Sequence, residues 1–521
     1  MPRLRANDRL APQDAIFLYL ENQQMPLHIG SVFIFEGKIT PSECLNLVES
    51  KLPRIPRYLQ RIVAPLWNIG HPTWEYDPDF DIHRHVLHLV LKRGTATELR
   101  EVAGRVLGQV MDRTRPLWDL TLVEGLQGGR TALIGRVHHC LADGISGSAI
   151  MNVILDPSPS PPNRDTKKSF RAPSLPDRGT SLLNALLTSW PERVDQILSA
   201  QAEALAVGGS VIFDSEQQAF RDLAPFLAEL LAPVEPLPFN QPCTGPRTVA
   251  WTEIPMADAK AIKTACGTTL NDVVLTVVTA AVQRYAEWHG VALKKRLLRV
   301  MVPVSVRHEE ASRRLGNQVS MLPIVIPLDI HDPVKLLRAI HRRTEALKGA
   351  HVAEFVKLIA TWMGIVPAPF QTVLSALTLP VPPFNMVCTN VPGPQVPLYL
   401  LGHRMLSSHP YVPIGNGMGV NCAVSSYDGT LYFGLTGDDD AVPDLSRLNK
   451  FLHSGFLELR DAAGISAPER PKQTEATPVD QKEAATRLVW REERAEPVPP
   501  ASAKRSTHAG GEKAAKEATA A

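Results

Sequence analysis

Two separate stretches of this chain alternate strand-like with helix-like hydrophobic patterns, and this alternation limits the folds that it can adopt. The first stretch contains a short helix pattern, a strand from His28 to Phe35, a helix pattern from Thr97 to Met111, and the strands "LWDLTLVEGL" and "TALIGRVHH" joined by the turn "QGGR". The second stretch contains the strand "RTVAWTEIP", the helix "TLNDVVLTVVTAAVQRYAEW" and the strands "LLRVMVPVSV" and "TLYFGLTG". These patterns predict an α/β protein with two lobes.

Proline-rich segments and a polar C-terminal region set the predicted boundaries. We predict an N-terminal lobe over residues 1–156, a linker with crossover helices over 157–245, a C-terminal lobe over 246–465 and a disordered tail over 466–521. The tail holds ten basic and nine acidic side chains and one aromatic. Its small apolar surface cannot offset the entropy lost on ordering, which is why we expect disorder there.

Charge and cysteine usage exclude several classes of function. The 55 basic and 53 acidic residues nearly cancel, whereas nucleic-acid binding needs a concentrated positive field. Six scattered cysteines with no CxxC pair argue against a zinc site and against a disulfide framework. Because the N-terminal residues lack the apolar core of a signal peptide, we expect a reducing, cytoplasmic setting.

The segment from Leu358 to Gly402 contains no Asp, Glu, Lys or Arg. Its eight prolines argue against a spanning helix, because each removes a backbone donor that hydrocarbon cannot replace. Two interpretations remain open, a buried element or tunnel wall and a surface that touches lipid. For the second, Trp362, Phe370 and Phe384 are the expected anchors.

The stretch "VHHCLADGISG" at residues 137–147 places two histidines at the end of a strand and before a helix pattern. A metal site is disfavoured, because adjacent strand residues point to opposite faces and the chain offers no second cluster with ligand spacing. A single histidine here would be expected to fill space. A pair of imidazoles with Asp143 and Gly144 favours proton transfer instead, since imidazole titrates near neutrality.

No nucleophile accompanies the histidines. The chain contains neither GxSxG nor the P-loop sequence GxxxxGK[ST], which disfavours serine hydrolases and nucleotide-phosphate enzymes of those kinds. A histidine acting directly on a substrate hydroxyl describes acyl transfer without a covalent enzyme intermediate.

The motif "HHCLADG" resembles the HHxxxDG motif of the CoA-dependent acyltransferase superfamily, which includes chloramphenicol acetyltransferase and peptide-synthetase condensation domains. With "PLHIGSVFIFEG", "RPLWDL", "TLNDVVL", "VPVSVR", "LGNQVS", "NVPGP" and "GLTGDDDAVPD", the chain resembles bacterial wax ester synthase/acyl-CoA:diacylglycerol acyltransferases from about residue 8 to residue 462. The resemblance implies two chloramphenicol-acetyltransferase-like lobes with mixed sheets and an active-site tunnel between them.

The resemblance also implies roles for the motif residues. His139 carries over as the general base, while His138, Asp143 and Gly144 support the motif. The implied reaction transfers a long-chain fatty acyl group from acyl-CoA to diacylglycerol, and also to long-chain alcohols. Acyl-CoA is then a substrate, and no cofactor or metal is expected.

Two further motifs have open interpretations. Asn271 lies near a predicted helix start, where its amide would either stabilise an oxyanion or cap the helix. Pro116, Leu117 and Trp118 would either line the acyl tunnel and bind substrate or belong to the core.

Other functions stay open alongside triacylglycerol synthesis. One alternative is an acyltransferase of the same fold that uses another alcohol or a carrier-bound acceptor. Another is a non-catalytic protein that binds lipid surfaces. Because diacylglycerol is a membrane lipid, we expect a cytoplasmic protein that associates peripherally with the inner membrane or with lipid bodies.

Overall fold

A computed structural model describes residues 10–64, 72–141, 149–160, 234–305, 319–349, 384–415 and 417–466. Several predictions fall outside these residues. They concern the helical part of the linker, the tail beyond residue 466, Asp143 and Gly144 of the histidine motif, and Trp362 and Phe370 of the charge-free segment.

The described residues form helices and strands in alternation, as the patterns predict. The helices are α1 (Pro12–Leu20), α2 (Pro41–Lys51), α3 (Ala96–Leu107), α4 (Ala149–Ile154), α5 (Met256–Cys266), α6 (Leu270–Trp288), α7 (Pro333–Gly349) and α8 (Leu445–Ala462). The strands are β1 (His28–Phe35), β2 (Gln60–Val63), β3 (Thr73–Tyr76), β4 (Val86–Val90), β5 (Trp118–Leu126), β6 (Arg130–His138), β7 (Arg247–Pro255), β8 (Leu297–Ser305), β9 (Val319–Pro327), β10 (Met386–Val391), β11 (Tyr399–Leu400), β12 (His403–Tyr411), β13 (Val420–Tyr427) and β14 (Thr430–Asp438).

The first large sheet has the strand order β11-β12-β1-β6-β5-β4. It contains the predicted hairpin of β5 and β6, and its two central strands, β1 and β6, pair antiparallel so that His28 lies opposite His138. The edge strand β4 runs parallel to β5, which makes the sheet mixed. The register brings the residue that opens β1 beside the histidine motif at the end of β6.

The second large sheet has the strand order β7-β14-β13-β10-β8-β9. Here β10 runs parallel to both β13 and β8, so this sheet is also mixed. Its main apolar core includes buried residues of α6 and α8, among them Val277, Tyr285 and Phe456. The α/β class with mixed sheets is therefore confirmed.

Residues from the C-terminal part of the chain also complete the first sheet. Strand β12 pairs antiparallel with β1 along most of its length. It packs closely against β14 of the second sheet, where a Cβ built on Gly434 would lie 1.8 Å from the carbonyl oxygen of Pro410. A Cβ on Gly104 of α3 would lie 2.3 Å from the carbonyl oxygen of Arg247 in β7. Glycine at both positions permits close backbone approach between the sheets.

Within the described residues, no single helix is long and apolar enough to cross a membrane. The pair α5 and α6, which is bent by 103°, meets the length and composition criteria only when the two helices are taken together.

The contact at Gly434 predicts that the Gly434→Ala substitution destabilises the protein. The added methyl group would meet backbone rather than a movable side chain, and forcing extra volume into a packed interior costs about 1–3 kcal/mol. The matched control is Gly135→Ala, because the nearest atom to that Cβ is the end of the Leu120 side chain at 3.2 Å. Urea unfolding should give the lower free energy of unfolding for Gly434→Ala, and equal values would contradict the packing argument.

Candidate active site

The two histidines of the motif have different surroundings. The backbone N–H of His138 donates to the carbonyl of Leu117 at 2.9 Å, and that of His139 donates to the carbonyl of Leu27 at 3.0 Å. The side chain of His138 is fully buried, whereas that of His139 is partly exposed and stacks on the ring of Phe17 with centroids 3.8 Å apart. Only His139 is therefore placed to meet a substrate.

Hydrogen bonds define the tautomer of His138. Its Nδ1 accepts the backbone N–H of Cys140 at 3.2 Å, and the Cys140 Sγ lies 3.0 Å from the same nitrogen. The proton of a neutral ring therefore lies on Nε2, which is 3.2 Å from Oε1 of Glu21.

Burial of the Cys140 thiol, together with nearby carboxylates, raises its pKa well above the usual range. A thiol that stays protonated is a poor nucleophile, so this cysteine packs against His138 without a chemical role of its own.

Glu21, the residue after α1, is the acidic centre of this region. Its Oε1 accepts the backbone N–H of Leu27 at 2.9 Å, and its Oε2 accepts hydrogen bonds from Arg113 at 3.2 Å (Nε) and 3.0 Å (Nη2). Burial favours the neutral acid, but His138, the Leu27 N–H and Arg113 outweigh it and lower the pKa of Glu21 to about 2. The carboxylate is therefore ionised at neutral pH, and all its described partners are donors.

His139 has the properties of a neutral base. Burial, with a smaller contribution from His138, lowers the pKa of His139 to about 4, although a hydrogen bond to its own backbone carbonyl acts in the opposite direction. Its Nδ1 is buried, and none of the other described residues bonds to it. The ring is therefore uncharged at pH 7.

The "PLW" residues lie in the core behind the histidines. Pro116, Leu117 and Trp118 are all buried, and the Trp118 indole N–H donates to the carbonyl of Tyr58 at 2.7 Å. His85 stacks on the indole with centroids 4.6 Å apart. The segment thus packs the start of β5 and supplies the Leu117 carbonyl that holds His138, while substrate contact remains a prediction.

Asn271 lies in the first turn of α6 but does not cap it. The cap is Thr269, whose side chain accepts the N–H of Asp272 while the Asp272 carboxylate accepts the N–H of Thr269. The capping interpretation of Asn271 is therefore wrong. The Asn271 side chain is exposed, and its Oδ1 accepts a hydrogen bond from Nδ2 of Asn390 at 2.5 Å.

The bond with Asn390 uses Oδ1 of Asn271 and not its amide N–H groups, which are the atoms that an oxyanion donor needs. None of its described hydrogen bonds reaches either histidine. The structure therefore brings together His138 and His139 with the Leu117 carbonyl, but it does not join Asn271 to them.

Sequence reasoning missed Glu21, Arg113 and Asp272. The buried carboxylate of Asp272 also accepts hydrogen bonds from His341 Nδ1 and Thr344 Oγ1, each at 2.8 Å, which ties α6 to α7. The sequence carries a signal for this residue, because Thr269 and Asp272 have the spacing of a capping box. No comparable local signal exists for Glu21. Among the residues that the structure describes, no group of three or more His, Cys, Asp or Glu side chains could hold a metal ion.

Known proteins share this arrangement of the chain. The model of the "Wax ester synthase/diacylglycerol acyltransferase catalytic domain" matches residues 10–274, and that of the "WS/DGAT C-terminal domain" matches residues 315–460. The Mycobacterium tuberculosis protein named "Probable diacyglycerol O-acyltransferase tgs2" is 30% identical over 88% of this chain and 100% of its own length. The M. tuberculosis relative tgs1, named in the same words, is 28% identical over 87% of this chain and 96% of its own length.

Solved structures agree with the sequence comparisons. The wax ester synthase/diacylglycerol acyltransferase from Marinobacter aquaeolei VT8 superposes with a TM-score of 0.62 at 26% identity, covering 88% of this chain and all of that one. The first condensation domain of the calcium-dependent antibiotic synthetase gives a TM-score of 0.55 at 15% identity, covering 88% of this chain and 97% of that one, and shares the two-lobe fold. The chain is therefore an acyltransferase that belongs to the wax ester synthase/diacylglycerol acyltransferase family.

Proposed function

We propose that this protein transfers a long-chain fatty acyl group from acyl-CoA to the free hydroxyl of diacylglycerol, with long-chain alcohols as second acceptors. The observation that carries the proposal is a neutral, partly exposed imidazole at His139 whose Nδ1 is buried. Family membership supports the class of reaction, and His139 supplies the group that the reaction needs. Acyl-CoA enters as a substrate, and no cofactor takes part.

In the proposed mechanism, Nε2 of His139 accepts the hydroxyl proton as the acceptor oxygen attacks the thioester carbonyl. The tetrahedral oxyanion collapses with cleavage of the C–S bond, and the imidazolium returns the proton to the departing CoA thiolate. The products are the new ester and CoA. A pKa near 4 makes His139 a strong acid once protonated, so protonation of a thiolate with an ordinary thiol pKa of about 8.5 is strongly favourable. Asn271 is the proposed oxyanion donor.

Weak basicity constrains the first step. A base with a pKa near 4 does not generate a free alkoxide, so proton removal has to accompany formation of the C–O bond. Donors aimed at the developing oxyanion then contribute most to the rate. The low pKa of His139 therefore favours protonation of the departing thiolate more than removal of the hydroxyl proton.

We propose that the enzyme works in the cytoplasm at the surface of the inner membrane or of lipid bodies. Diacylglycerol is too apolar to reach a partly buried imidazole through water at a useful concentration. The charge-free segment from Leu358 to Gly402 offers the apolar side chains that such a contact needs.

The first prediction of this proposed function is that His139→Ala abolishes acyl transfer while the protein stays folded. Loss of a general base costs about 10²- to 10⁴-fold, and more when the same group is also the acid. The matched control is His138→Ala, which removes a buried imidazole that does not face substrate and should be milder. Thiol release from palmitoyl-CoA with diacylglycerol, measured beside circular dichroism, tests both. A larger loss for a folded His138→Ala would reverse the assignment, and activity that required a carrier-bound substrate would contradict the proposed function.

The second prediction concerns pH. The active form has neutral His139, so kcat/KM should stay level from pH 8 down to about 5.5 and fall only as pH decreases towards the low pKa of His139. An acyl-pantetheine donor lacks the 3′-phosphate of CoA. The second ionisation of that phosphate, with a pKa of about 6, would otherwise add a separate pH dependence to the rate. An acid limb at the ordinary histidine pKa of about 6.5 would contradict the low pKa of His139.

The third prediction concerns the membrane. Attachment through apolar side chains should survive salt, because about 1 M salt screens surface charges beyond roughly 3 Å. Liposome flotation at low and high salt measures this, with Phe370→Asp expected to weaken binding. Leu89→Asp is the matched control, since Leu89 is an exposed leucine on β4 and is not part of the charge-free segment in the sequence. Loss of binding in salt, or equal effects of the two variants, would place the contact elsewhere.

A further inference from the structure

The carboxylate of Glu21 contacts His138 directly and is linked to His139 through Leu27. Oε1 lies 3.2 Å from Nε2 of His138, which is a direct contact with the first imidazole. The same oxygen accepts the N–H of Leu27 at 2.9 Å, and the carbonyl of Leu27 accepts the N–H of His139 at 3.0 Å. One buried oxygen thus lies against the side chain of His138 and is linked, through the single residue Leu27, to the backbone of His139.

Arg113 holds the other oxygen of this carboxylate. Its guanidinium donates to Oε2 from Nε and Nη2, and Nη2 also donates to the carbonyl of Leu18 at 2.7 Å near the end of α1. Both donors bind the same oxygen, so Arg113 on Oε2 and the Leu27 N–H on Oε1 together fix the orientation of the carboxylate. The side chain of Glu21 is fully buried, while that of Arg113 is 44% exposed.

We propose that Glu21, oriented by Arg113, is a positioning residue that sets the location of His139 Nε2 relative to the substrate hydroxyl. This inference rests on the proposed function of His139 as the base. Glu21 does not touch the reacting atoms. It acts through the turn "HHC", where Oε1 of Glu21 lies 3.2 Å from Nε2 of His138 and the Cys140 N–H donates to Nδ1 of the same ring. A displacement of about 1 Å at the base can cost about 100-fold in rate, which is why a restraint at this distance matters.

The principal experiment compares Glu21→Gln with the wild-type full-length protein. Glutamine keeps the shape and one acceptor oxygen but loses the charge, and its amide N–H groups would face donors. We expect kcat to fall about 10- to 100-fold, with KM for palmitoyl-CoA and diacylglycerol within about twofold of wild type, because positioning affects the chemical step. A change in KM alone would overturn the proposal.

A double mutant separates positioning from general structural support. If Glu21 acts through His139, adding Glu21→Gln to His139→Ala should leave the residual rate unchanged. An equal fractional loss in both backgrounds would overturn the proposal. The matched control is Asp444→Asn, which alters a carboxylate that accepts the Tyr285 hydroxyl at 2.6 Å and lies 3.4 Å from Nε2 of His289, away from the histidine motif. This control should retain wild-type kcat.

Arg113→Ala provides the test if Glu21→Gln does not fold. Because the guanidinium is partly exposed, millimolar guanidinium ion should enter the gap and restore part of the lost kcat. A folded Arg113→Ala with wild-type kcat would overturn the positioning role. If His139→Ala itself retains the wild-type rate, the proposed function fails; if only His139→Ala is impaired, the proposed function stands and this inference alone fails.

Discussion

The ionised carboxylate of Glu21, buried between α1 and the end of β6, is the constraint around which the histidine motif is organised. A buried charge is tolerated only when its oxygens are paired and hydrogen-bonded. Here Arg113 and the Leu27 N–H donate hydrogen bonds to the carboxylate, and Nε2 of His138 lies 3.2 Å from Oε1. Moving any one partner away would leave part of the buried charge uncompensated, and the free-energy cost of that change keeps each partner in place. Because hydrogen bonds are directional, these polar contacts restrict the atoms of the turn "HHC" more tightly than apolar packing would.

A second buried ion pair connects this turn to the other sheet. Arg247, at the start of β7, donates to Oδ2 of Asp438 at 2.6 Å and also to the carbonyl of Gln24. Gln24 lies in the loop between Glu21 and Leu27, the same loop whose carbonyl holds His139. The first sheet has its own buried pair, in which Arg136 contacts both oxygens of Asp119 and two carbonyls near the end of α3. The loop from Glu21 to Leu27 therefore contacts His138 of the first sheet and Arg247 of the second.

Local patterns predicted much of the fold but only part of the site. The bounds of β1 and β7 follow from hydrophobic alternation, and α3 ends at Leu107, earlier than the pattern from Thr97 to Met111 suggests, because Gly108 ends it. The position of His139 at a strand end was predictable for the same reason. Glu21 was not, because its bond to Arg113 joins residues 92 positions apart and no local spacing records such a pair. The capping interpretation of Asn271, by contrast, could have been avoided, because the capping box of Thr269 and Asp272 was visible in the sequence.

Buried neutral histidines cause the free energy of unfolding of this protein to decrease at acid pH. Burial lowers the pKa of His28 to about 3, of His139 to about 4 and of His409 to about 3. As pH falls below the unfolded value of about 6.5, the unfolded chain binds protons that the folded chain excludes, so stability decreases down to those low values. Glu21 acts at lower pH, because its depressed pKa contributes stability that is fully present above about 4.3 and is lost as pH falls towards about 2. Acid therefore weakens the fold through its histidines before it protonates the imidazole of His139 in the folded protein, so the burial that keeps His139 neutral lowers the stability at acid pH.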